Sequence, residues 1–398
     1  METVLKFSSH KNITAGVIRC LQDIFGQDVY ADQAIRKLLK ENLKWGARDR
    51  KHVAGTIYDI VRWWRLLWES AGREPSLNVP DLDFLLHYYY SNELSALRQK
   101  QTYRTLRESI PDWLDKLGSA ELGNSWDTEI SAQNSEAPVM LRTNTLKISA
   151  AELIQKLSEE GVASDLFHHP GNELQDIKFP ETIVLRERKN VFLTRIFKEG
   201  LFEVQDGSSQ AVSHFLDVKP GMRAVDACAG AGGKALHLAA LMKNKGRIIA
   251  LDISETKLTE LKKRAARAGA DIIETRLIRS KKIIKRLTGS ADRLLLDVPC
   301  SGLGIMRRNP DAKWKLTPEA IERVKREQEN ILGNYSLMLK PGGRMVYSTC
   351  SILPSENEEP VKKFLSVHPG FRFIREQKFS PAINGLDGFY MALMERLM

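Results

Sequence analysis

The sequence predicts an α/β protein: a doubly wound parallel sheet domain over residues 201–398, preceded by an all-helical domain and a small α/β module. Three observations carry that reading. After residue 201, short apolar runs alternate with amphipathic segments of helical length, the mark of strand–helix–strand units. Each apolar run arrives at a turn bearing an acid, a glycine cluster or a cysteine. Over residues 1–125, by contrast, apolar residues recur at helical spacing with little glycine or proline between them.

In the helical domain, ITAGVIRCLQDIF and VAGTIYDIVRWWRLLWES carry the helical period, and PDWLDKLG reads as a last helix closed by Gly118. Arg36, Lys37, Lys40, Lys44, Arg48, Arg50 and Lys51 offer a basic surface, which solvated helix faces explain equally well. The module spans residues 126–200. VMLRTN and TIVLRE read as strands, Ser149 and Glu152 stand at capping-box spacing, and NVFLTRIF and LFEVQD read as further strand-like runs.

In the sheet domain the strands are MRAVDAC, GRIIALD, DRLLLDV and GRMVYSTC. One helix starts after Ser254 as N-cap, and another at Thr317 with Pro318 in its first position. Ligands of such sheets sit outside the carboxyl ends of the strands, so the chemistry belongs at those turns.

Composition bounds the partner. The 398 residues, 42% hydrophobic and 28% charged, are ordinary for a globular chain, and a net charge of +10 favours a polyanion. No apolar run nears the ~20 residues of a membrane span. METVLKFSSHKN lacks a secretory pattern, so the chain reads as cytoplasmic. Its four cysteines, Cys20, Cys228, Cys300 and Cys350, form no CxxC pair, which argues against a metal site and leaves the thiols free to act.

The first candidate site is DACAGAGGK (226–234). Its turn, Cys228, Ala229, Gly230, Ala231, Gly232, Gly233 and Lys234, opens a helix and lets a ligand approach the backbone. It matches neither a P-loop nor GxGxxG. Asp252 ends the next strand, placed for ribose hydroxyls; the alternative is a carboxylate capping the Ser254 helix. Turn and acid together suit either a nicotinamide nucleotide or S-adenosylmethionine.

The second candidate is the pair DVPCSG (297–302) and STCS (348–351). Neighbouring strands of a doubly wound sheet place Cys300 and Cys350 on one edge, with Asp297 leading the first turn. A lone free cysteine is usually a buried hydrophobe. Two at adjacent strand ends, beside an acid and downstream of a cofactor turn, suit covalent chemistry. Carbon 5 of cytosine becomes nucleophilic only after a thiolate adds at carbon 6, a carboxyl group near N3 stabilises that adduct, and a second group helps to release it.

DACAGAGGK, DVPCSGLG, KPGGRMVYSTCS and LPSENEEPV resemble the RNA cytosine-5 methyltransferases, in the bacterial small-subunit ribosomal RNA methyltransferase B (Sun/Nop-related) branch. The resemblance runs from about residue 138 to the C-terminus and includes LRTNTLK, QDGSSQ and DGFYMA. It implies a class I, Rossmann-like methyltransferase fold using S-adenosyl-L-methionine. It further implies Cys350 as nucleophile, Cys300 as the release group, Asp297 beside both cytosine and methyl donor, and residues 228–234 with Asp252 as the donor's site. The implied substrate is RNA, 16S ribosomal RNA before tRNA, with a non-catalytic RNA-binding relative as the other reading. No membrane, no metal and a monomeric state are expected.

The chain departs from the family in two places: Ala229, Gly230 and Ala231 replace Ala-Ala-Pro, and Ile278 and Arg279 stand where an acid near the adenine is usual. Residues 1–125 only weakly resemble a NusB-like RNA-binding domain. RNA contacts are expected from Arg142 and from the basic–aromatic stretch GIMRRNPDAKW (304–314), through Arg307, Arg308 and Lys313, with Trp314 either stacking on a base or packing. Lys257 to Arg286 forms another basic belt.

Overall fold

The computed structural model describes residues 11–168 and 179–398. The N-terminal residues 1–10, on which the reading about secretion mostly rests, lie outside them. The described chain divides into two units. One is residues up to 135 together with 305–318; the other is 136–304 with 319–398.

The helical unit is built on amphipathic spacing. In helix Ala31–Glu41 the buried residues are Ala31, Ala34, Ile35 and Leu38, a single stripe. VAGTIYDIVRWWRLLWES divides into helices Ala47–Arg62 and Trp64–Ser70 around Trp63. Gly118 does not end the PDWLDKLG helix, which runs Asp112–Leu122 and stops at Gly123 with a positive φ of 55°. Gly118 is interior because the Trp126 indole lies on it; a Cβ there would come within 2.3 Å of the ring. A further helix, Trp126–Gln133, continues the unit past residue 125.

The second unit holds two sheets. Strands β1 (Met140–Thr143), β2 (Ser164–Leu166), β3 (Thr182–Leu185) and β4 (Phe202–Val204) form an antiparallel sheet in the order β2-β3-β1-β4. Ser149 caps helix Ala150–Glu159 through a full capping box with Glu152. NVFLTRIF is not a strand: it forms a 3₁₀ turn, Val191–Leu193, and a short helix, Arg195–Lys198, each opened by a side-chain cap from Asn190 or Thr194.

The larger sheet comprises β5 (Arg223–Asp226), β6 (Arg247–Asp252), β7 (Ile273–Leu277), β8 (Ala291–Asp297), β9 (Leu339–Thr349), β10 (Phe371–Phe379) and β11 (Phe389–Arg396). Its order is β10-β11-β9-β8-β5-β6-β7, with β5 to β9 parallel and β11 antiparallel to both neighbours. Buried Val225, Ile249, Leu294, Leu296, Met345 and Tyr347 belong to one core cluster of this sheet. The chain reverses its direction of winding between β5 and β8, which makes their carboxyl ends the topological switch point. Among the described residues no helix is long and apolar enough to cross a membrane.

Candidate active site

Three acids end three adjacent parallel strands: Asp226 on β5, Asp252 on β6 and Asp297 on β8. The glycine turn after β5 is shaped by two positive-φ residues. Gly230 (φ 54°) has open space where a Cβ would stand, whereas at Gly232 (φ 86°) a Cβ would meet Leu261 at 2.4 Å. Only glycine meets both demands, an open approach at 230 and close packing at 232. Helix Gly233–Leu241 follows at once.

Asp252 links turn and strand. One of its carboxylate oxygens accepts from Gly230 N–H and the other from Ser254 N–H, both at 2.8 Å. The capping alternative is therefore realised in part, and each oxygen keeps a lone pair for a hydroxyl donor. After β7, Ile278 N–H donates to the Asp252 carbonyl at 2.8 Å, so an apolar side chain occupies the position where an acid is usual. Glu274, earlier on β7, is engaged by Arg247 and Arg276.

Sequence reasoning passed over Asp226 within its own motif. It is 1% exposed and both its carboxylate oxygens lack a hydrogen-bond partner. Burial first, then the charge of Asp297, raises its pKa to about 7. Its place at the strand end, matching Asp252 and Asp297, was the signal available. A buried, unsatisfied carboxylate beside an open glycine turn fits a ligand that brings positive charge and hydroxyls, as S-adenosylmethionine does.

The strand pair β8–β9 sets the second half of the site. Their register aligns Asp297 with Ser348, which places both cysteine turns on one edge. Asp297 accepts from Lys234 Nζ at 2.6 Å and from Ser348 Oγ at 2.9 Å. Lys234, counted in the sequence with the cofactor turn, thus also pairs with the acid of the cysteine turn. Cys300 Sγ and Cys350 Sγ lie 3.1 Å apart, and Cys350 N–H points to Cys300 Sγ at 3.3 Å. The hydrogen bond to Cys350 and burial push the Cys300 thiol well above its ordinary value. Cys228 is also raised by burial and the surrounding acids, which leaves it a protonated wall of the turn.

Three of the residues expected to contact RNA are buried. Arg142 is 3% exposed, because its strand position faces inward; its guanidinium donates to Gln205 Oε1 and to Gly233 O, bracing the glycine turn. Arg307 and Lys313 are 3% and 1% exposed within the helical unit. Lys313 Nζ reaches Asn134 Oδ1 at 3.2 Å and lies 5.4 Å from the Trp314 ring centroid. Trp314 packs, donating its indole N–H to Val61 O at 2.7 Å. Arg308 is half-buried. In contrast, Lys257, Lys262, Lys263, Lys281, Lys282, Lys285 and Arg286 stand exposed.

Among the described residues one group of metal-type ligands gathers: Glu181, His214 and His237. Its geometry is that of a carboxylate oxygen accepting from both imidazoles, at 2.5 Å and 2.6 Å. Burial lowers His237 to about 3, so it donates as a neutral ring.

A seven-stranded sheet with this switch point, a glycine turn and an acid closing the second strand define a Rossmann-like domain for a nucleotide or S-adenosylmethionine, and the similar proteins decide for the S-adenosylmethionine-dependent methyltransferases. A family model described as 16S rRNA methyltransferase RsmB/F matches residues 213–395, and one described as a Methyltr_RsmF/B-like, ferredoxin-like domain matches 110–171. The probable ribosomal RNA small subunit methyltransferase B of Bacillus subtilis (strain 168) is 32% identical, covering 72% of this chain and 66% of its own length. The ribosomal RNA small subunit methyltransferase B of Proteus mirabilis (strain HI4320) is 30% identical over 85% of this chain and 79% of its own. The crystal structure of PH0851 is similar, with TM-score 0.80 and 25% identity over 97% of this chain and 98% of that one. The crystal structure of a methyltransferase homolog protein from Pyrococcus horikoshii has TM-score 0.63 and 27% identity, covering 74% and 98%. The chain belongs to the 16S rRNA methyltransferase RsmB/F family.

Proposed function

We propose that the protein methylates carbon 5 of a cytosine in RNA, 16S ribosomal RNA by its relatives' names, acting in the cytoplasm as a monomer. The observation that carries this reading is the 3.1 Å approach of Cys300 and Cys350 beside the Lys234–Asp297 pair. Bound S-adenosylmethionine supplies an electrophilic methyl group on a sulfonium. Asp252 would hold the ribose hydroxyls, Asp226 would meet the positive charge of the methionine end, and residues 228–234 would line the approach. A protein- or small-molecule methyltransferase has no use for two thiols at adjacent strand ends.

Cys350 attacks as thiolate at carbon 6 and opens a nucleophilic enamine at carbon 5. Negative charge then develops toward N3, where the Lys234–Asp297 pair holds a proton and positive charge at the ring edge. After methyl transfer a water takes the proton from carbon 5, the electrons of that bond restore the 5,6 double bond, and the Cys350–carbon 6 bond breaks to return the thiolate, with Cys300 adjacent to the departing sulfur. The cytosine must be unstacked to present its ring face.

The test is a pair of variants on a cytosine-containing RNA. Cys350→Ala is expected to abolish methylation, and Cys300→Ala to accumulate a denaturant-stable protein–RNA adduct. Full activity in Cys350→Ala would sink the mechanism. Bisulfite sequencing of total RNA from a deletion strain identifies the target and distinguishes ribosomal RNA from tRNA.

A further inference from the structure

The segment LPSENEEPV, distinctive in the sequence, has no part in the chemistry described so far. It follows the Cys350 turn, and in it Glu356 is 0% exposed. Four donors converge on its carboxylate. Ser301 N–H donates to Oε1 at 2.8 Å and Gln328 Nε2 to the same oxygen at 3.0 Å. Ser301 Oγ donates to Oε2 at 2.5 Å, and Ser351 Oγ donates to that oxygen too. Ser301 directly follows Cys300, and Ser351 directly follows Cys350.

We propose that Glu356 is the positioning residue of the cysteine pair: one buried carboxylate that ties the turn carrying Cys300 to the turn carrying Cys350. The inference rests on the reading of those cysteines as the reacting pair. A carboxylate suits the place because every group facing it is a donor and it accepts only. Its own backbone is anchored, since Tyr347 OH, on β9, donates to Glu356 O at 2.7 Å. Asn357 adds a second tie: its Oδ1 accepts from Thr349 Oγ1 at 2.5 Å and its Nδ2 donates to Ser351 O at 3.1 Å. The end of β9, the Cys350 turn and the Cys300 turn are thereby closed into one hydrogen-bonded ring, and the sulfur separation follows from it.

Removing the whole side chain would orphan several buried donors and cost stability, so Glu356→Ala is a poor probe. Glu356→Gln keeps the volume, and the double variant Ser301→Ala/Ser351→Ala removes two of the four ties, the hydroxyl donors to Oε2, from the other side. Two readouts on the full chain apply. In methylation kinetics both variants are expected to lose kcat by about 100-fold with KM for RNA and donor unchanged, as a misplaced reacting group does. In the absence of substrate, diamide oxidises the two thiols. Each sulfur gives up its hydrogen, a Cys300–Cys350 bond forms, and diamide takes both hydrogens to become its hydrazine. That disulfide, read by peptide mass, is expected to form about tenfold more slowly in both variants.

Disulfide formation at the native rate in a folded Glu356→Gln chain would overturn the proposal, whatever the kinetics. The diamide comparison needs no methylation. Were Cys350→Ala to keep full activity, the catalytic reading would fall while the clamp would still be decided.

Discussion

The turn after β8 and the segment that follows it are adjacent in the chain and belong to different units. Residues 297–304 carry Asp297 and Cys300 at a strand end of the α/β unit, while residues 305–318 lie in the helical unit. The first stretch sets an acid and a thiol at the carboxyl end of a strand. The second is rich in Arg, Lys and Trp, yet its cations are largely buried, with the Asp311 carboxylate accepting from Ala31 N–H at 2.9 Å. The difference teaches that position on a sheet and charge in a loop carry different information. A parallel sheet delivers every strand's carboxyl end to one edge, whatever the loops do. A basic–aromatic run has no such constraint, because aliphatic stems and indoles bury readily.

The comparison predicts opposite consequences for the two stretches. Largest is Cys350→Ala, which should remove methyl transfer by about 10³-fold or more with RNA affinity and melting temperature unchanged. Trp314→Ala should do the reverse, costing about 3 kcal/mol of stability through poorer packing, with kcat of the folded fraction near native. Calorimetry alongside activity separates the two; a Trp314→Ala chain as stable as the native one would contradict its place in the helical core.

Asp226→Asn should come next. A folded-state pKa of about 7 means that the native chain holds a proton the unfolded chain has already lost. Native stability therefore falls as pH rises from the ordinary carboxylate range to about 7, by an amount on the order of 2–4 kcal/mol without donor. The variant should be more stable than the native chain at pH 8, nearly equal to it at pH 4, and weaker for S-adenosylmethionine. Denaturant titrations at the two pH values check the sign.

The smallest effect should follow Lys313→Met, which replaces a buried cation and leaves RNA affinity unchanged within about twofold. Alanine at Lys282, Lys285 and Arg286 together should instead lower affinity and flatten its salt dependence, by about 0.7 in log–log slope for each phosphate no longer neutralised.

Periodicity located the helices and the strand-end logic located Asp252, Asp297 and both cysteines, because both signals are local. The rest depended on contacts that residue type and spacing do not announce. Gly118 reads as a helix stop until Trp126 is folded onto it. NVFLTRIF looks like a strand by its β-branched and aromatic residues, and two side-chain caps turn it into helix. Arg142 is a surface cation in composition and a buried brace in fact, since its acceptors sit at positions 205 and 233. Glu356 announces nothing by type; only the convergence of Ser301, 55 residues away, and of nearby Ser351 marks it.

The segment 305–318 also sets the order in which the chain matures on the ribosome. Half-buried Trp314 packs against the helical unit's core and is synthesised some 180 residues after residue 135 ends the unit's first stretch. At ordinary rates of synthesis that interval is on the order of ten seconds or longer. Until it passes, the nascent helices leave the side of their core that Trp314 covers open to water. The N-terminal unit therefore cannot finish folding before much of the catalytic sheet has emerged.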